Sequence, residues 1–183
     1  MISARAGASL DRMVALGLEN ALPAPPDRTV SVRQADAVAP PAGACMVVLM
    51  LTSHSFRVVI SLYVPRNEAT RLYLEQVGRI TAGDRSEQAF RDSVSEAANM
   101  CCGTVNREIG RFYPQTGMST PHIIDSRSAA YVAGLEHQHL RHFTVDLGST
   151  SVGATLCACA TRPMDFDWTP EAQAEVSGEL ELF

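Results

Sequence analysis

Four residues near the middle of the chain combine types that can do chemistry together: Asp92, Glu96, Asn99 and Gly103. On a helix turning about 100° per residue they fall within an arc of roughly 60°. The opposite arc, roughly 80° wide, holds Phe90, Val94, Ala97, Cys101 and Val105, and Ala98 and Ile109 extend it. One face is therefore core and the other is a narrow polar stripe. An ordinary solvated face favours long side chains of mixed charge. This one has two acids, a carboxamide and a glycine. Glycine in a helix interior costs about 1 kcal/mol relative to alanine. One use for it is to let a second surface come close.

The stripe suits hydrolysis of an acyl phosphate. That reaction needs little covalent help; it needs a water held in line with phosphorus and the surrounding charges held in place. A carboxamide can orient such a water without changing its own protonation. A carboxylate one turn away can grip a cation on an approaching surface. Each residue also has a plainer reading. Glu96 and Asn99 suit a solvated helix face, Asp92 suits the early turns where acids meet the helix dipole, and Gly103 suits close packing of another element.

The helix that displays the stripe is the longest expected, from Ser86 to about Arg111, with Pro114 and Gly117 marking its exit. An earlier helix is expected over residues 8–21, with Ser9 as N-cap, Gly17 as a weak point and Pro23 beyond its end. A third is expected over Asn67–Val77, stopped near Gly78. Short strands are expected at Thr29–Arg33 and Met118–Asp125, where Pro121 suits an edge or bulge. Two hairpins are expected, Cys45–Leu51 with Phe56–Val64 and Leu140–Leu147 with Val152–Thr161, the second turning at Gly148-Ser149. The fold class that follows is α/β (α+β), a mainly antiparallel sheet packed with long helices. Residues 1–162 form one domain and 163–183 an acidic C-terminal extension, in which Phe166 and Trp168 read as core plugs.

Composition narrows the function. The chain has 183 residues, 46% of them apolar, enough for one core. Its net charge is −5 with no basic run, which argues against nucleic acid. All 15 basic residues are arginine. The absence of lysine excludes a Schiff-base lysine, a Walker A loop and a kinase-type lysine. The longest apolar run, Ala44–Leu51, is too short to span a bilayer. Five cysteines in two close pairs and a single do not resemble a disulfide framework, and a reducing cytoplasm is expected.

Other reactive residues carry weaker signals. His137, His139 and His142 precede a strand with Cys157 and Cys159, but His142 points away from the other two on an extended chain, so no metal site is expected. Cys101 falls on the core arc and Cys102 at its margin, without C-x-x-C spacing. Ser93 and Ser95 lack a nucleophile elbow.

The run Asp92-Ser-Val-Ser-Glu96-Ala-Ala-Asn99-Met-Cys-Cys-Gly103, followed by Ser119-Thr-Pro121, resembles the signature of the chemotaxis phosphatases CheC and CheX. That signature is an acidic residue or serine, then E-x-x-N, then a proline a little over twenty residues on. Here 21 residues separate Asn99 from Pro121, about one fewer than usual, and there is one copy of the motif, as in CheX. The resemblance covers most of residues 8–162 and implies a CheC-like fold. It implies that Asn99 orients the attacking water in the active site of a phosphorylated CheY-like receiver domain, and that Glu96 pairs with the receiver's lysine. It also implies docking roles for Asp92, Gly103 and Pro121, Mg²⁺ bound by the receiver and no cofactor on this chain. The resemblance to CheX also implies a homodimer. The alternative is a non-catalytic CheC-like module that binds a receiver or a flagellar-switch partner.

Overall fold

The computed structural model describes residues 1–26 and 28–170. Three helices and a seven-stranded sheet enclose the core. Helix α1 spans Ala4–Ala21, α2 Glu68–Gln76 and α3 Glu87–Gly110. The strands are β1 Ser31–Ala35, β2 Cys45–Thr52, β3 Phe56–Val64, β4 Gly117–Met118, β5 His122–Asp125, β6 His139–Asp146 and β7 Ser151–Ala160. All pairings are antiparallel, in the order β1-β6-β7-β3-β2-β4, with β5 also on β2.

The period of two in β2 sorts its side chains between the two faces of the sheet. Cys45, Val47, Leu49 and Leu51 join the main core with α1 and α3, while Met46 belongs to a smaller cluster on the other face. That cluster includes Val59, Tyr63 and Cys157, and Val132 covers it. Strand β3, central and covered on both faces, is buried along nearly its whole length, which explains its unbroken apolar sequence.

Several boundaries differ from those expected. Helix α1 starts earlier: Ser3 is the cap, accepting from the Ala6 N–H at 3.2 Å. Ser9 is buried inside the helix, where its hydroxyl accepts from the Trp168 N–H at 3.0 Å. The strand expected over Met118–Asp125 is broken in two. Pro121 lacks an N–H for the ladder, and beside it the backbone N–H of Met50 donates to the Ser119 hydroxyl at 3.0 Å, a side-chain acceptor in place of a ladder carbonyl. A 3₁₀ segment, Ser126–Gly134, follows β5 where no element was expected, capped by the Asp125 carboxylate.

The core does not stop at residue 162, where the domain boundary was expected. Met164, Phe166 and Trp168 are all buried in the main cluster. Met164 is laced to the N-terminus by bonds from its N–H to Met1 O and from Ser3 N–H to its carbonyl, both 3.0 Å. Residues 163–168 thus belong to the domain as a strap along α1 and α3. Residues 171–183 of the expected extension lie outside the described residues.

Candidate active site on helix α3

Helix α3 is fixed along its length before it displays anything. The Ser86 hydroxyl accepts from the Ala89 N–H at 3.2 Å, Glu87 sits in the first turn and Arg107 in the last, as the helix dipole favours. The Arg71 guanidinium lies over the Phe90 ring at 4.9 Å. At mid-helix α3 crosses α1 at Gly17, where an added Cβ would stand 2.8 Å from the Cys101 carbonyl oxygen. The expected weak point of α1 is thus the place where the two helices touch. Near its end, Glu108 accepts the Trp168 indole N–H at 3.0 Å and pairs with Arg107 and Arg111 at 3.1 and 3.2 Å.

With that face buried, the stripe points outward as expected. Asp92 and Glu96 are exposed, and Asn99 and Gly103 are half-buried. Charge pairing on α3 is selective. Glu87 is held by Arg66 and Arg71, Glu108 by its three donors, and Asp92 accepts from Gln88 Nε2 at 2.7 Å. Glu96 alone among the four acids of α3 has no hydrogen bond or ion pair to another described residue, and the Asn99 side chain has none either. A Cβ placed on Gly103 would meet nothing within 4 Å among the described residues, so close packing against them does not account for the glycine. Pro121 lies at the bend between β4 and β5, on the sheet edge that α3 contacts.

The stripe is a helix face and not a cleft. The surface cavity of about 450 Å³ between residues 40–44 and Arg66, Asp125 and Arg127 lies elsewhere. A convex face with two unengaged polar groups fits a macromolecular surface better than a small molecule, which needs concavity.

The three histidines near β6 and four of the five cysteines are occupied by structure. His139 Nε2 lies 2.6 Å from Asp11 Oδ1 and Arg141 Nε 3.1 Å from Asp11 Oδ2, which joins α1 to β6. His142, on the opposite face of β6, lies 2.9 Å from the Thr155 hydroxyl, and burial pushes its pKa down. His137 Nδ1 is 2.7 Å from Leu135 O. Among the described residues no three His, Cys, Asp or Glu side chains converge to hold a metal. Burial pushes the Cys45, Cys101 and Cys157 thiols up and takes Cys102 to about 12, so these thiols are protonated at neutral pH.

Sequence reading missed one residue beside the stripe, Arg79. It sits against Met100, the neighbour of Asn99, and nothing in the sequence spacing connects the two.

The seven-stranded antiparallel sheet, the layer of long helices and the helix-borne stripe define a CheC-like α+β domain. Neither a sequence-family model nor a curated protein matches the chain. Solved structures do. Chemotaxis protein CheX from Vibrio vulnificus superposes with a TM-score of 0.58 at 16% identity, over 82% of this chain and 99% of that one. CheX from Desulfovibrio desulfuricans gives 0.52 at 15% identity, over 84% and 98%. The CheX–CheY–BeF₃–Mg²⁺ complex from Borrelia burgdorferi gives 0.56 at 9% identity, over 82% and 96%. The chain has the CheX fold. No helix among the described residues is long and apolar enough to cross a membrane.

Proposed function

We propose that this chain is a phosphatase that accelerates hydrolysis of the aspartyl-phosphate on a CheY-like receiver domain, in cytoplasmic chemotaxis or a related two-component pathway. The observation that carries the reading is the pair Glu96 and Asn99, one turn apart and without side-chain partners among the described residues, beside a glycine that none of those residues covers. The Asn99 carboxamide orients a water in line with the scissile P–O bond. Water oxygen bonds to phosphorus as the bond to the aspartyl oxygen breaks, and the products are inorganic phosphate, which keeps both of the water's protons, and a free aspartate carboxylate. A carboxylate leaves readily, so no general acid is required of α3. Glu96 holds a cation on the receiver, Asp92 supports the contact, and the edge at Pro121 borders it. Mg²⁺ belongs to the receiver in this scheme, and the chain needs no cofactor of its own.

The fold shared with a CheX solved in complex with CheY supports the choice of partner. The sheet ends at β1, the edge through which a second copy could pair, and sedimentation velocity across concentrations tests that. The function is tested with a phosphorylated receiver from the same genome in tenfold excess. Substoichiometric chain should shorten the phosphate lifetime through repeated turnover. An unchanged lifetime for every such receiver would leave a binding module.

A further inference from the structure

Arg79 is placed by a helix stop. Gly78 adopts φ 71°, its N–H donates to Glu75 O at 3.0 Å, and the Arg79 N–H donates to Leu74 O at 2.8 Å. This is the Schellman closure of α2, which turns the chain sharply and sends the Arg79 side chain across the end of α1 toward α3. There its Nη2 donates to the Ala21 carbonyl at 2.6 Å and lies 3.2 Å from Met100 Sδ. Met100 is 39% exposed. It is one helical turn from Glu96 and directly follows Asn99, so the guanidinium borders the candidate site.

Two features together separate Arg79 from the other cations on and near α3. Its Nε is buried without a partner. No carboxylate among the described residues lies within ion-pair reach of it, whereas Arg66, Arg71, Arg107 and Arg111 each have one; Arg91 of α3 also lacks one but has no buried, unpartnered nitrogen. A receiver site that holds Mg²⁺ and a phosphoryl group must present carboxylates around it, since Mg²⁺ is bound through carboxylate and phosphate oxygens. This chain carries a net charge of −5 and brings Asp92 and Glu96 to that meeting, so like charges oppose the approach. An unmatched cation at the border of the stripe offsets that repulsion.

We infer that Arg79, seated against Met100, is a docking residue that takes a carboxylate at the rim of the receiver's phosphorylated site. The inference rests on the receiver-binding part of the reading above. It makes Arg79 a determinant of which receivers are accepted, with no part in orienting the water.

The test is affinity for a same-genome receiver activated with beryllofluoride and Mg²⁺, measured across ionic strength. Arg79→Gln retains a donor for Ala21 O but loses the charge. It should bind about three- to fivefold more weakly at low salt, with the gap closing as salt rises. Arg79→Lys should hold close to wild-type affinity. Turnover at saturating receiver should be unchanged in both, whereas Asn99→Ala should bind normally and turn over poorly. Arg79→Glu should regain binding to a receiver in which one rim acid is exchanged for arginine. Equal affinity of wild type and Arg79→Gln, a loss that persists at high salt, or no rescue by any rim exchange would overturn the assignment. Salt-dependent binding through Arg79 without any change in phosphate lifetime would sustain the docking role and defeat the hydrolysis reading alone.

Discussion

Gly17 of α1 meets the backbone of α3 at Cys101, so that a methyl group on Gly17 would stand 2.8 Å from the Cys101 carbonyl oxygen and 3.1 Å from its sulfur. Gly103, two residues further along α3, faces open space. The same substitution should therefore have opposite effects at the two sites. Gly17→Ala should force the helices apart and cost about 1–3 kcal/mol. Gly103→Ala should gain up to about 1 kcal/mol of helix stability. It should nevertheless weaken receiver docking, because the methyl group occupies the approach. Urea unfolding and receiver affinity measure the two effects. A Gly103→Ala protein that is more stable and binds normally would remove the glycine from the interface.

Trp168 ties the strap to α3 through Glu108. Trp168→Ala should cost about 3–5 kcal/mol, since it empties a core position. Trp168→Phe should cost about 1–2 kcal/mol for the lost bond to a charged acceptor. Burial pushes the Glu108 carboxyl up, but the Trp168 indole, Arg107 and Arg111 more than offset this and hold it below the usual carboxylate range. A depressed folded pKa gives stability that is fully present above the unfolded value of about 4.3 and is lost as pH falls through the folded value. Wild type should therefore lose stability below about pH 4 more steeply than Glu108→Gln. Parallel acid titrations of the two would contradict the tie.

The elements that position the site were legible where periodicity was strong. The α3 stripe, its buried arc and both hairpins follow from the spacing of apolar residues. Ser9 misled because a serine before an apolar run looks like a cap, whereas here it is buried and bonded to a strap nearly 160 residues away, a contact that no local pattern encodes. The same long-range bonding placed Trp168 in the core, so a boundary drawn from composition fell too early. The split of the 118–125 strand was half visible in Pro121; the Ser119 hydroxyl that stands in for a ladder carbonyl as acceptor of the Met50 N–H was not. Glu96 and Asn99 could be named from spacing, but their lack of partners appears only when the other acids of α3 find theirs.

Asp11 is 5% exposed and takes both His139 and Arg141 across the α1–β6 contact. The His139 ring packs over Gly7, where a Cβ would come within 2.8 Å of Nδ1. Arg141 is partly open to solvent, which screens its share of the attraction. Asp11→Ala should cost about 1–3 kcal/mol, mainly by leaving the half-buried His139 ring without its acceptor. Denaturant unfolding measures it, and a change below about 0.5 kcal/mol would show that the cluster is a passive surface contact.

Four of the five thiols are buried, and Cys159 is the partly exposed one. A thiol reagent such as DTNB should titrate one group quickly in the native protein and five after unfolding. Blocking Cys159 should leave phosphate release unchanged, because it lies on β7 and α3 contributes no exposed thiol. Rapid reaction of two or more thiols, or inactivation by the reagent, would contradict this placement of the cysteines.

The central claim is that Asn99 holds the attacking water. The direct measurement is phosphate release from a phosphorylated receiver of the same genome under wild-type and Asn99→Ala protein, with matched folding by circular dichroism and matched receiver affinity. Loss of one positioning group should slow release by about 10²–10³-fold, by analogy with removal of an oxyanion-hole donor. Normal turnover by a folded, receiver-bound Asn99→Ala protein would contradict the mechanism.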